Sequence, residues 1–139
     1  MQDFAENINP NVGYQVIEAP GDEIFLLDEL PPDNSKIVVF DDLVSEKNQD
    51  EIIKYFICGR NRNCSVIYLT QTFFKVPKNI QDNCSHCYIF NFSPSENNQI
   101  ADKLGVPRGL LDRARVEKFS FFYFDKPRKL MKKIFDETI

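Results

Sequence analysis

Apolar positions in this chain come in short runs separated by helical patterns. Lys36-Ile37-Val38-Val39-Phe40 is a compact β-branched and aromatic run that ends in two carboxylates, Asp41 and Asp42. A run this short and apolar predicts a strand buried on both faces, as in a parallel sheet between helix layers. After it the period changes. Ile52, Ile53, Phe56 and Ile57 share one helical face, Ser45 suits an N-cap, and Glu46 and Asp50 suit the positive end of a helix dipole. The expectation is a helix from about 45 to 58, stopped by Gly59. Cys64 to Thr70 is a second apolar run, ending at Gln71. Strand, helix, strand with a crossover of this length is a βαβ unit.

The pattern continues with a short helix at 77–83 that has Pro77 in its first turn, and a third strand at 85–92. A helix follows, capped by Ser95 and stopped by Gly105. Pro107 opens a further short helix through Val116. A fourth strand at 118–124 closes in the turn Asp125-Lys126-Pro127-Arg128, and the tail from Lys129 to Ile139 reads as a final amphipathic segment. Ahead of the first strand, Glu23 to Leu27 fits a strand or one helical turn. Residues 1–21 carry Asn9-Pro10, Gly13, Pro20 and Gly21 and read as a polar lead-in in which Tyr14 to Ile17 is the strand-like piece. The domain is then 22–139.

Parallel strands would deliver their C-terminal residues to one edge, where open α/β sheets bind ligands. That edge would carry Asp41 and Asp42, Gln71 after the second strand, and Asn91 near the end of the third. One carboxylate can hold Mg²⁺ while its neighbour orients or deprotonates a water, the Walker B arrangement. Gln71 could touch both a γ-phosphate and the attacking water. Each has a plain structural counterpart: Asp is common where a strand stops, and a Gln can satisfy backbone groups in a turn. Arg60 and Arg62 enter the second strand from the opposite end, so they would serve a neighbouring subunit's site as arginine fingers, or form a solvated basic turn.

Length and composition set outer bounds. The chain has 139 residues, 42% of them hydrophobic, which suits one packed domain and excludes disorder. Phe is abundant, with 13 copies, and Trp is absent. A net charge of −4 argues against a nucleic-acid surface covering the whole molecule. There is no apolar stretch of membrane-spanning length and no signal-peptide pattern at the N-terminus, so an intracellular location and no membrane partner are expected. Cys58, Cys64, Cys84 and Cys87 include a C-x-x-C pair with the only histidine, His86, between its members. A Cys₄ zinc site needs both pairs to converge, and the irregular first spacing favours small buried thiols instead. Zinc is therefore not expected.

Taken in order, Lys36 to Asp42, Gly59-Arg60, Ser65 to Gln71 and Val76-Pro77-Lys78-Asn79-Ile80 to Asn83 resemble the genome-packaging ATPases of poxviruses, other large DNA viruses and Maverick or Polinton transposons, within the FtsK/HerA branch of P-loop ATPases. The resemblance spans about residues 22 to 137. It implies an α/β fold: a partial RecA-like P-loop NTPase core, a mainly parallel sheet flanked by helices. It also implies ring assembly, ATP and Mg²⁺ as cofactors, and double-stranded DNA as the cargo of a full-length ring. By position, Asp41 matches the Mg²⁺-coordinating acid, Asp42 the acid that polarises water, Gln71 the sensor and Arg60 the finger.

The sequence also departs from that pattern. It holds no G-x-x-x-x-G-K-[ST], so the phosphate cradle and the hydroxyl ligand of Mg²⁺ are missing. Asn61 stands where His often follows Gly-Arg, and Gln81 where Arg often stands. The expectation is the C-terminal part of a packaging-ATPase domain, inactive alone, that self-associates or takes a partner to complete its sheet, the association surfaces being strands 64–70 or 119–124. The alternative is a truncated or domesticated interaction module that keeps the fold without the chemistry, and a zinc adaptor is the third reading.

Overall fold

The computed structural model describes residues 23–45, 47, 49–90, 92–112 and 120–134, with the side chains of Lys133 and Ile134 excepted. The elements in order are β1 (Lys36–Asp41), α1 (Gln49–Cys58), β2 (Cys64–Leu69), α2 (Lys78–Asn83), β3 (His86–Ile89), α3 (Pro94–Leu104), β4 (Phe121–Asp125) and β5 (Leu130–Ile134), with short 3₁₀ turns between them. The readings placed on Tyr14–Ile17, Glu46, Asn91, Val116, Lys118, Phe119 and the end of the tail lie outside the described residues.

The βαβ unit is present. β1 and β2 pair in parallel, with Lys36 opposite Cys64 and Asp41 opposite Leu69. One face of this pair carries Val38, Phe40, Cys64, Val66 and Tyr68, and packs with Ile52 and Tyr55 of α1, Ile80 of α2, Leu27 and Val76 into one core. Phe40 meets Tyr55 edge-on at 5.2 Å, and the Tyr55 hydroxyl donates to the Phe25 carbonyl at 2.7 Å. Leu27 begins a 3₁₀ turn to Glu29, where a strand or single helical turn was expected, and its N–H donates to Glu51 of α1 at 2.7 Å.

Gly59 does not end α1 through a left-handed turn. It is buried, and a Cβ on it would stand 3.3 Å from both Cys64 Cβ and Val66 Cγ2, so any side chain here would press against β2. The left-handed residue is Asn63 (φ 51°), whose N–H closes the turn onto the Arg60 carbonyl at 3.2 Å.

Two expectations need correction. The first is that β1 is buried on both faces. Ile37 is 73% exposed and Val39 51%, with Ile67 and Leu69 beside them on the same face of the pair. The second is the mainly parallel sheet. Among the described residues only β1–β2 is parallel; β3, β4 and β5 form a separate antiparallel sheet in that order. In β3, His86 and Tyr88 alternate outward while Cys87 and Ile89 turn inward. Cross-strand aromatic pairs, Tyr88 with Tyr123 at 5.2 Å and His86 with Tyr123 at 5.9 Å, stabilise the antiparallel register. The inward residues meet α3 in a second core of Ile89, Ile100, Ala101, Leu111 and Phe122.

Further differences are local. α1 begins at Gln49, several residues after Ser45. α3 is capped by Ser93 rather than Ser95: Pro94 takes the first helical position, Ser93 Oγ accepts from the Glu96 N–H at 3.3 Å, and Ser93 Oγ donates to the Glu96 carboxylate at 2.9 Å. Gly105 ends α3 in the left-handed region as expected (φ 70°). From Pro107 the chain makes a turn, not a continuous helix, with the Leu110 N–H on the Pro107 carbonyl and Gly109 at φ 80°. The segment after Lys129 is the strand β5, hairpinned to β4 through a turn in which Asp125 accepts the Arg128 N–H at 3.1 Å. Among the described residues no helix is long and apolar enough to cross a membrane.

Candidate functional site

The parallel register brings the expected acids to the C-terminal edge of the β1–β2 pair. Asp41 sits opposite Leu69, and the Asp42 N–H donates to the Leu69 carbonyl at 3.0 Å, which extends the ladder one residue past β1. Both aspartates are exposed. Asp42 has φ 53°, a left-handed conformation that Asp tolerates better than most residues. The chain after β2 turns at once: Thr70 Oγ1 accepts the Thr72 N–H at 3.1 Å, which leaves Gln71 exposed at the tip. Asp41, Asp42 and Gln71 therefore share one strand-end edge.

Two further residues belong to this edge. Tyr68 lies opposite Phe40, half-buried beneath the aspartates. Burial pushes its phenol up; the Gln49 side chain beside it partly opposes this, and the nearby Asp42 charge adds to it. Gln49, the first residue of α1, donates its amide to the Leu43 carbonyl and so ties the residues after Asp42 to the helix. Thr70 read from the sequence as the last residue of the second strand, whereas the strand ends at Leu69 and the Thr70 hydroxyl makes the turn. Gln49 gave no sequence signal, because only the fold brings it back to Leu43.

Arg60 stands at the other end of β2, exposed in the 3₁₀ turn Gly59–Arg62, with no ion pair or side-chain hydrogen bond among the described residues. Arg62 is held: it donates to the carbonyls of Asp28 (3.2 Å) and Leu30 (3.1 Å) and pairs with the Asp28 carboxylate at 3.5 Å. It is a strap over the β2 entrance rather than a second finger. Asn91 lies outside the described residues, and β3 belongs to the other sheet, so the expected row of three parallel strand ends is not assembled. Gln81 donates its amide to the Val76 carbonyl at 2.9 Å, a structural role. An open depression of about 450 Å³ between Phe73, Gln81, Gln99, Asp102 and Lys103 does not include Asp41 or Asp42.

The donor set suits Mg²⁺ in kind. Hard carboxylate oxygens at an exposed strand end are what this ion takes, together with waters and phosphate oxygens. Asp41 would hold the ion and Asp42 a water beside it; the ion would supply charge stabilisation for phosphate oxygens. Cys58 and Cys64 belong with the first core and Cys87 with the second, and among the described residues no three His, Cys, Asp or Glu side chains converge on one point.

Comparison with known structures finds the DNA-packaging ATPase B204 from Sulfolobus Turreted Icosahedral Virus, with a TM-score of 0.56 and 13% identity over 70% of this chain. At that identity the likeness concerns fold. The match takes in 50% of the B204 chain, so this sequence corresponds to about half of that protein. No curated protein matches. The family model described as "Poxvirus A32 protein" matches residues 28–113, which hold β1, β2 and both aspartates, and the chain belongs to that family.

Proposed function

We propose that this chain is the Walker B and sensor half of a viral DNA-packaging ATPase. Asp41 serves as the Mg²⁺ ligand, Asp42 as the acid that polarises the attacking water, Gln71 as the sensor of the γ-phosphate, and Arg60 as a finger reaching a neighbouring subunit in a ring that moves double-stranded DNA. The observation that carries this reading is the shared strand-end edge: parallel pairing brings two exposed acids beside the turn that presents Gln71, while Arg60 sits exposed at the opposite end of β2. The family match spans this edge, and the structural neighbour is a packaging ATPase.

The sequence lacks a phosphate-cradling loop, so we expect no ATP hydrolysis by the chain on its own. The apolar face with Ile37, Val39, Ile67 and Leu69, together with the edges of β1 and β2 left unpaired among the described residues, supports completion of the sheet by a P-loop-bearing segment or a second subunit.

The test is complementation. A P-loop segment from a related packaging ATPase is fused or supplied, and ATP hydrolysis is measured with and without Asp42→Asn. Hydrolysis that appears with the segment and disappears with Asp42→Asn is the expected result. Stable assembly with the segment but no hydrolysis would overturn the catalytic reading and favour a non-catalytic interaction module.

A further inference from the structure

Two thiols that the ATPase reading leaves unused lie in contact. Cys84 follows the last residue of α2, with its N–H on the Ile80 carbonyl at 2.9 Å, and Cys87 is the second residue of β3. Their sulfurs are 4.0 Å apart, with Cys87 donating to Cys84. Both are half-buried and unbonded, so they are shielded but reachable. The Cys84 thiol also donates to the His86 carbonyl at 2.8 Å.

A fixed cation stands beside them. Lys126 donates from Nζ to the carbonyls of Gln81 (2.8 Å) and Asp82 (3.1 Å), and from its backbone N–H to Ser85 (3.0 Å), so it is pinned across the end of α2. His86 is occupied elsewhere, its Nδ1 3.0 Å from the Tyr123 hydroxyl. With no third ligand among the described residues, the pair is poorly suited to zinc. Two thiols at C-x-x-C spacing next to a cation suit thiol–disulfide exchange.

We propose that Cys84 and Cys87 are a redox-active dithiol that closes reversibly to an intramolecular disulfide when it meets a low-molecular-weight disulfide such as oxidised glutathione. The Cys84 thiolate attacks one sulfur of the small disulfide. That S–S bond breaks, and one thiolate leaves and takes up a proton. Cys87 then gives its proton to solvent and attacks the Cys84 sulfur of the mixed disulfide, expelling the second small thiolate. The two cysteines are oxidised by two electrons, and one small disulfide is reduced to two thiols. The sulfurs must close from 4.0 Å to about 2.05 Å. The bond would staple α2, which belongs to the first core through Ile80, to β3, which belongs to the second through Ile89.

The environment fixes which sulfur leads. The hydrogen bond from Cys87 lowers Cys84 to about 7 against the cost of burial, helped by Lys126, and the same bond together with burial raises Cys87.

The experiment incubates the full chain in glutathione buffers of graded oxidised-to-reduced ratio, quenches with a maleimide, and maps modifications by mass spectrometry. The expected result is loss of two hydrogens on the peptide that holds both Cys84 and Cys87, reversed by reduced glutathione, before Cys58 or Cys64 reacts. Cys87→Ala should trap one glutathione on Cys84 and move the pH midpoint of Cys84 alkylation upward from near 7. Cys84→Ala should leave Cys87 unmodified. The wild-type measurement needs no variant to fold. Cys84 and Cys87 staying reduced in buffers that modify Cys58 or Cys64, or a disulfide formed only between chains, would overturn the proposal.

Discussion

Asp42 allows the backbone and the carboxylate to be tested separately. Its φ of 53° lies where an L side chain crowds the following carbonyl, at a cost of about 1–2 kcal/mol that Asp and Asn bear most lightly. Its N–H is used, on the Leu69 carbonyl, so the conformation is held by the ladder. Asp42→Gly relieves the strain but adds about 0.5–1 kcal/mol of unfolded-state entropy. The two effects nearly cancel, and the expected net change is within about 1 kcal/mol of zero. Asp42→Asn keeps the conformational tolerance and should also lie within about 0.5 kcal/mol of the parent. Asp42→Val places a β-branched side chain in the same region and should lose about 1–2 kcal/mol.

The assay is urea unfolding of the four chains with a common m-value, so that midpoints convert directly to free energies. The expected order of stability is parent, Gly and Asn together, then Val. In the complemented ATPase, Gly and Asn should both abolish hydrolysis despite their unchanged stability. The reasoning fails if Asp42→Val is as stable as Asp42→Gly, because the left-handed turn then does not constrain this residue. It fails equally if Asp42→Gly loses several kcal/mol, because the carboxylate would then be a structural group.

Three further outcomes follow from the same contacts. Tyr55 donates to the Phe25 carbonyl, and burial raises its phenol to about 12; the unfolded chain releases that proton first, so stability should fall between pH 10 and about 12, and Tyr55→Phe should cost about 1 kcal/mol at pH 7 and weaken that alkaline loss in pH-dependent urea unfolding. Asp28, Asp82 and Asp102 are held below the ordinary 3.8 by hydrogen bonds from Lys54, Lys103 and Arg108, so the stability they contribute is present above pH 3.8 and lost as pH drops through their lower folded values, a decline that added salt should reduce because all three are solvent-exposed. Val39→Ser with Ile67→Ser removes apolar surface that is already exposed, so sedimentation should show weaker self-association while the unfolding midpoint moves little; unchanged association would place the contact elsewhere.

The βαβ unit was legible because both of its signals are local. β-Branched runs at 36–40 and 64–69 and a helical period at 52–57 each fix an element, and crossover length fixes the parallel pairing. What failed was the inference from an apolar run to burial on both faces. Ile37 and Val39 are as apolar as Val38 and Phe40, and nothing in their identity says that only one face meets α1. The parallel placing of β3 failed because a strand's own sequence does not name its neighbour, and β3 pairs antiparallel with β4. The site was half legible. The adjacent aspartates and the Gln after β2 follow from position in sequence, whereas Gln49 on Leu43 and Arg62 on the carbonyls of Asp28 and Leu30 depend on contacts made only after the chain folds.

The two halves of the site differ in what holds them. The acid edge stands on the first core: Phe40 directly precedes Asp41, and the Tyr68 ring below it packs edge-on against Phe56 at 6.3 Å. The strand ends are therefore fixed whether or not phosphates are present. The phosphate-binding function has no such support in this sequence, since none of its five glycines lies in a cradle motif. Catalysis by positioned charges needs both halves in one rigid frame. The uncovered aliphatic face beside Asp41 is the natural place for that frame to be completed, because burying Ile37, Val39, Ile67 and Leu69 would contribute on the order of several kcal/mol at the usual return per area. A segment that covers this face would thereby be docked next to the acids, so the energy that completes the sheet would also position the phosphates.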